Sequence, residues 1–197
     1  MVVEVRQSPP QMSVDEFETL AEFTAREIET VGLEFVSGRL GVRKARNDSH
    51  GAVAAWLACR CLQARPGLGL HPNLGLRVEE HGEGRALPDG VLAPTGSFAG
   101  QGAWADPGAA LMTVEITSHD PDTHHRDRAE KPRAYAGAGI PLYLLVDRDT
   151  LWTAVHSDPD PALGYRQVHM VRFGGVLTLP EPLGITLDTE ELAEYAD

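Results

Sequence analysis

Glu115 lies in the run Thr113-Val114-Glu115-Ile116-Thr117. A carboxylate in so apolar a strand costs several kcal/mol if it is buried without a partner. A metal ion shared with a second carboxylate would satisfy it, as would a buried salt bridge or exposure at the strand end. Downstream, Asp127, Lys131 and Tyr135 fall at helical spacing, so Asp127 and Lys131 form an i, i+4 pair. A second acid, Asp89, follows Pro88. The dipeptide alone says little, because Pro121-Asp122 and Pro159-Asp160 occur in segments that read as loops. Asp89 differs in standing at the start of a strand expected to lie beside the one carrying Glu115.

The elements that must position these groups are a strand over Leu111 to Thr117, a helix carrying Lys131, and a strand over Pro141 to Asp147, with Gly137 to Pro141 closing the helix. Such a unit brings Glu115, near its strand's end, and Lys131 to one cleft. Pro132 disfavours helical geometry at the residue before it, which puts Lys131 at a helix start or a kink. Ser13 to Glu16 forms a capping box for a helix from about Val14 to Arg26. Leu33 to Val36 and Arg39 to Val42 flank Ser37-Gly38 as a hairpin. Its Glu34 is either a third acid of the site or a cross-strand partner of an arginine such as Arg39 or Arg43. A second helix runs from His50 to Ala64, and His50 at its start is a structural donor or an accessory site residue.

Strands over Leu74 to Glu79 and Leu87 to Ala93 follow, separated by a turn at His81 to Gly84, and then a Gly-rich surface connection from Ser97 to Pro107. Three further strands, at Leu151 to Val155, Tyr165 to Phe173 and Val176 to Leu179, are joined by turns at Asp158 to Pro161 and Gly174-Gly175. A final helical turn ends at Tyr195. This is an α/β chain, a mixed sheet with helices packed on it.

With 197 residues and no Pro/Gly/Ser-rich break, the chain is expected to form one domain, residues 1–197. No apolar run approaches the roughly 20 residues of a membrane span, and the first residues lack a signal-peptide layout, so a cytoplasmic protein without a membrane partner is expected. Cys59 and Cys61 sit two apart on a helix and read as reduced thiols. The net charge of −12 argues against nonspecific wrapping of nucleic acid. Arg126, Arg128, Lys131 and Arg133 nevertheless crowd one segment, which leaves a local basic patch open. The loop from Ser118 to His125 is dense in His and Asp but has no zinc-type spacing, and no Gly-x-Ser-x-Gly elbow supports serine hydrolysis.

Asp89 in RALPDGVLAP, Glu115 in TVEITS and the run DRAEKPRAYAGAGIPLYLLVDRD resemble the Uma2 group of restriction-endonuclease-like proteins, a branch of the PD-(D/E)xK nuclease superfamily. SVDEFETLA, LEFVSGRLGV, the helix containing His50 and GITLDTEEL match in the same order, so the resemblance spans nearly the whole chain. It implies a restriction-endonuclease-like core, a central mixed sheet flanked by helices, and a metal-dependent endodeoxyribonuclease. Asp89, Glu115 and the backbone carbonyl of Ile116 would then hold Mg²⁺, with Mn²⁺ as an alternative, and Lys131 would position water or offset charge. The superfamily usually places its lysine two residues after the acid. Here that position is Thr117, and the lysine matches Lys131 on the next helix. Glu34, His50, Thr117 and Asp127 remain accessory candidates. The resemblance also implies a DNA partner and a homodimer; the competing expectation is a nuclease-fold module that binds nucleic acid or protein without catalysis.

Overall fold

The computed structural model describes residues 12–43, 48–79, 82–117 and 125–195. Helix α1 (Val14–Glu27) starts at the expected capping box, in which the Ser13 and Glu16 side chains each bond the other's backbone amide. Strands β1 (Gly32–Val36) and β2 (Arg39–Arg43) form the hairpin, with Ser37 and Gly38 both at positive φ. Helix α2 (Asp48–Ala64) is followed by β3 (Leu68–His71), β4 (Gly75–Val78), β5 (Gly84–Ala86), β6 (Gly90–Pro94), the short β7 (Trp104–Ala105) and β8 (Met112–Ile116). A π turn, Arg126–Glu130, runs into α3 (Lys131–Gly137), and β9 (Leu142–Asp147) follows. The chain closes with β10 (Trp152–Asp160), β11 (Gly164–Arg172), β12 (Val176–Leu179), β13 (Ile185–Asp188) and a 3-10 turn, Glu190–Tyr195.

The central sheet has the order β11-β10-β9-β8-β6-β3, with β8 and β9 parallel and its other pairs antiparallel. A second sheet, β2-β1-β5-β4-β7, faces it, and β12 and β13 form a hairpin of their own. Alternation along β8 and β9 decides what each face meets. Met112, Val114 and Ile116, with Leu142, Leu144 and Val146, pack on α2 and the β12–β13 hairpin. The opposite parity sends Tyr143 and Leu145 into a separate core with α3, β4 and β5. Glu115 shares that second parity, so its position in the strand alone directs it toward α3.

Several expectations need correction. The strand expected from Leu87 begins only at Gly90, and Gly84–Ala86, assigned to a turn and its flank, is a strand bridging β1 and β4. The 97–107 connection contains β7, whose Trp104 packs against Phe17. Asp158 and Pro159 lie within β10, and the hairpin turn falls after Asp160. Long-range pairing outweighed local turn chemistry in each case. Cys59 is exposed, Cys61 is buried, and both are free thiols. Among the described residues no helix is long and apolar enough to cross a membrane.

Candidate active site

Lys131 is the hub of the buried polar residues. Its Nζ lies 3.0 Å from Glu34 Oε1, 3.0 Å from Glu115 Oε1 and 3.2 Å from Asp127 Oδ1, and the Lys131 side chain is only 2 % exposed. Three elements converge here: β1 supplies Glu34, β8 supplies Glu115, and the π turn entering α3 supplies Asp127 and Lys131 together. Lys131 is the first residue of α3 and Pro132 the second, in a run that stays helical from the π turn, whose Asp127 carbonyl accepts from the Tyr143 hydroxyl at 2.6 Å. The i, i+4 contact expected between Asp127 and Lys131 is present, but buried rather than exposed.

Glu115 Oε1 also accepts a 2.6 Å hydrogen bond from the Tyr135 hydroxyl. Tyr135, at helical spacing from Lys131, therefore touches the site. Oε2 of Glu115 accepts no hydrogen bond among the described residues. Asp89 stands one residue before β6. Its amide donates to the Val114 carbonyl at 2.9 Å, which sets it beside the Glu115 end of β8. Its Oδ2 accepts from the Ile116 amide at 2.6 Å and lies 3.0 Å from His50 Nε2, while Oδ1 is ion-paired with Arg43. Asp89, just ahead of β6, is thus bonded to the residues on either side of Glu115 in β8, and the two acids are 4 % and 2 % exposed.

The β1–β2 hairpin fastens the segment ahead of Asp89. Glu34 Oε1 accepts from the Leu87 amide at 2.8 Å, and Arg43 Nη1 donates to the Leu87 carbonyl at 2.6 Å and the Pro88 carbonyl at 3.3 Å. Glu34 is therefore part of the buried cluster. Its cross-strand partner is Gly41, and Arg39 pairs instead with Glu130. Thr117 Oγ1 points to the end of β9, 3.5 Å from Asp147 Oδ1 and 2.9 Å from the Arg148 amide. Of the His/Asp-rich loop, 118–124 lies outside the described residues, and the exposed His125 has its Nε2 3.9 Å from Glu130 Oε1.

Three carboxylates around one ammonium leave an excess of negative charge. Burial alone would lower the Lys131 pKa, but Asp127, Glu115 and Glu34 together raise it above the usual lysine value. Burial also works against charge on Glu34. There the Lys131 and Arg43 charges and the Leu87 amide outweigh it and hold the pKa below the ordinary value. Glu115 carries the surplus: burial, with the Asp127 and Glu34 carboxylates, overrides Lys131 and Arg43 and pushes its pKa up to about 7. A carboxyl whose folded pKa exceeds its unfolded value of about 4.3 stabilises the fold fully below that unfolded value. The contribution is lost as pH rises through about 7. Metal-free protein is therefore expected to lose on the order of 2–3 kcal/mol of stability between about pH 5 and pH 8 from this group. Urea denaturation across that range checks the loss, and Glu115→Gln should remove it.

Gly41 makes room for a third cation. A Cβ at Gly41 would collide with the Arg126 guanidinium, which donates to the Val42 carbonyl at 3.0 Å and places Nη1 3.5 Å from Glu34 Oε2. Gly41→Ala is expected to destabilise the protein by about 1 kcal/mol, although alanine suits a strand better than glycine. In an Arg126→Met background the same change should be neutral or stabilising, and that reversal is readable by urea denaturation.

Among the described residues no three His, Cys, Asp or Glu side chains form a ready-made chelate. Two neighbouring carboxylates, with one oxygen of Glu115 uncommitted, still fit a hard divalent cation such as Mg²⁺, which takes one or two protein carboxylates and completes its shell with water and substrate oxygens.

Residues 14–190 match the protein family Uma2, described as "Putative restriction endonuclease". The chain belongs to the Uma2 family. A solved structure from Anabaena variabilis, titled as a putative nuclease belonging to DUF820, superposes with a TM-score of 0.71 at 14 % identity, covering 94 % of this chain and 99 % of that one. At that identity the likeness concerns the fold, which is the mixed α/β, restriction-endonuclease-like architecture expected of an Uma2 chain. No curated protein matches the chain. Arg43, Arg126 and Tyr135 are the residues that sequence reasoning did not assign to this Uma2 site. Tyr135 carried a signal in its i+4 spacing from Lys131. The sequence offers Arg43 only as a cross-strand partner of Glu34 and Arg126 only as part of a basic patch, since their contacts with Asp89 and Glu34 are set by tertiary packing.

Proposed function

We propose that this Uma2 chain is a metal-dependent endonuclease that hydrolyses phosphodiester bonds in DNA. Asp89, Glu115 and the Ile116 carbonyl would hold Mg²⁺ or Mn²⁺. The observation that carries this reading is the convergence of Glu115 and Lys131 at 3.0 Å beside Asp89, which is bonded to Val114 and Ile116 on either side of Glu115. When bound, the ion supplies an acidified water and offsets charge on the phosphate oxygens.

The chain's own groups divide the remaining work. The Ile116 amide and His50 fix the Asp89 carboxylate, and Tyr135 fixes that of Glu115. Lys131, held by Glu34 and Asp127, keeps its charge next to the reacting centre, where an ammonium can orient a water or offset phosphate charge. The pKa near 7 at Glu115 means that metal uptake should strengthen through neutral pH as its proton leaves. A homodimer, one active centre per strand, would suit double-strand cleavage.

Nicking of supercoiled plasmid in Mg²⁺ or Mn²⁺ tests the proposal. Wild-type protein should cut, and Asp89→Asn and Glu115→Gln should not. A wild type that cuts neither duplex DNA, single strands nor RNA would favour a non-catalytic binding module, a role consistent with the chain's net charge of −12.

A further inference from the structure

Each of the two carboxylates proposed to hold the ion has its own protein cation. Glu115 has Lys131, which is hemmed in by Glu34 and Asp127 and buried. Asp89 has Arg43, and the two cations differ in how they are held. Arg43 is the last residue of β2, at the end of the β1–β2 ladder, and its side chain is 14 % exposed. It spans the rim of the site, binding the Leu87 and Pro88 carbonyls through Nη1 and Asp89 through Nη2. Neither carbonyl carries charge, so Asp89 is the carboxylate it pairs with directly, while Glu34 and Glu115 feel its charge without an ion pair.

We propose that Arg43 is the built-in counter-ion of Asp89, so that a divalent cation and the Arg43 guanidinium compete for one carboxylate. The inference rests on the metal-site reading above. An ion bound at Asp89 beside a fixed guanidinium would meet like charge in a poorly solvated site, where such repulsion is strong. Arg43 must therefore move outward when the ion enters. Its planar fork matches a phosphate as well as a carboxylate, so a nucleic-acid phosphate at the rim can receive it. Metal and polyanion then bind with positive coupling, each strengthening the other by the same factor. In the metal-free protein the Asp89 charge is matched by Arg43, and the chain alone binds the ion weakly. Arg43 in this account is a positioning residue. Its role differs from that of a merely structural arginine, whose loss would misplace the Leu87–Asp89 segment and weaken metal binding.

Calorimetric titration of Mn²⁺ into wild type, Arg43→Gln and Asp89→Asn, without nucleic acid, separates the two by sign. Competition predicts that Arg43→Gln binds Mn²⁺ about tenfold more tightly than wild type and that Asp89→Asn loses binding. Equal or weaker binding by folded Arg43→Gln, with wild-type binding still dependent on Asp89, overturns the competition and leaves the metal site standing. Binding indifferent to Asp89, or no binding by any of the three, overturns both. Should Arg43→Gln fail to fold, the Arg43 Nε–H resonance of wild type gives the answer. Saturating Mg²⁺ should shift it and speed its exchange with water, and an unchanged signal overturns the competition.

Discussion

Replacing Lys131 with methionine is expected to destabilise the protein by about 3–5 kcal/mol at neutral pH, among the largest effects of any single substitution in this chain. Methionine has a similar length and fills the same space, so the loss reports charge and not a cavity. Glu34, Glu115 and Asp127 would face one another with only Arg126, near the outer oxygen of Glu34, and the more distant charge of Arg43 to offset them. Their escape is protonation. Burial already raises Asp127 and Glu115, and without the ammonium all three pKa values should climb further. Each such group stabilises the fold below its unfolded pKa and loses that contribution as pH rises through the folded one. The Lys131→Met protein should therefore recover much of its deficit as pH falls from about 8 toward 5. Chemical denaturation at both ends of that range checks the sign. A variant equally unstable at both would mean that Lys131 serves mainly by filling space.

Glu115→Gln should behave in the opposite way, losing activity while keeping or gaining stability. The amide oxygen can still accept from Tyr135 and Lys131, and one of three crowded carboxylates is gone. Above about pH 7 the variant should be the more stable protein, since the raised pKa of Glu115 records how unfavourable its charge is there. Metal-dependent cleavage should fall by about a thousandfold, the scale expected when several kcal/mol of metal-assisted stabilisation is lost. A fold more stable without a functional group is what results when like charges are gathered for chemistry. Parallel measurement of denaturation midpoints and plasmid nicking decides whether stability and activity separate. Cleavage at the wild-type rate would place the chemistry elsewhere.

Much of this arrangement could be read before the fold was seen. A lone acid in TVEIT demanded a polar partner, and Lys131 on the following helix is that partner. Pro132 limited Lys131 to a helix start or kink, and it stands at the first position of α3, after a π turn. Asp89 beside β8 followed from the order of the strands. What stayed hidden was set by contacts far apart in sequence. Glu34 offered two meanings, and only the folded hairpin shows it committed to Lys131, Arg126 and the Leu87 amide. Gly84-Arg85-Ala86 has neither alternation nor an apolar run and becomes a strand because β1 and β4 lie on either side. Asp158-Pro159 has the chemistry of a turn, and β11 carries it into a hairpin, with Asp158 at positive φ and bonded to Arg166.

The central claim is that Asp89 and Glu115 share one divalent ion. Anomalous diffraction from crystals of the protein grown or soaked in Mn²⁺ measures this directly. The account predicts a single strong peak between the two carboxylates, within about 2–2.5 Å of an oxygen of each, and absent from Asp89→Asn crystals treated alike. A peak elsewhere, or none at Mn²⁺ concentrations that support cleavage, would contradict it.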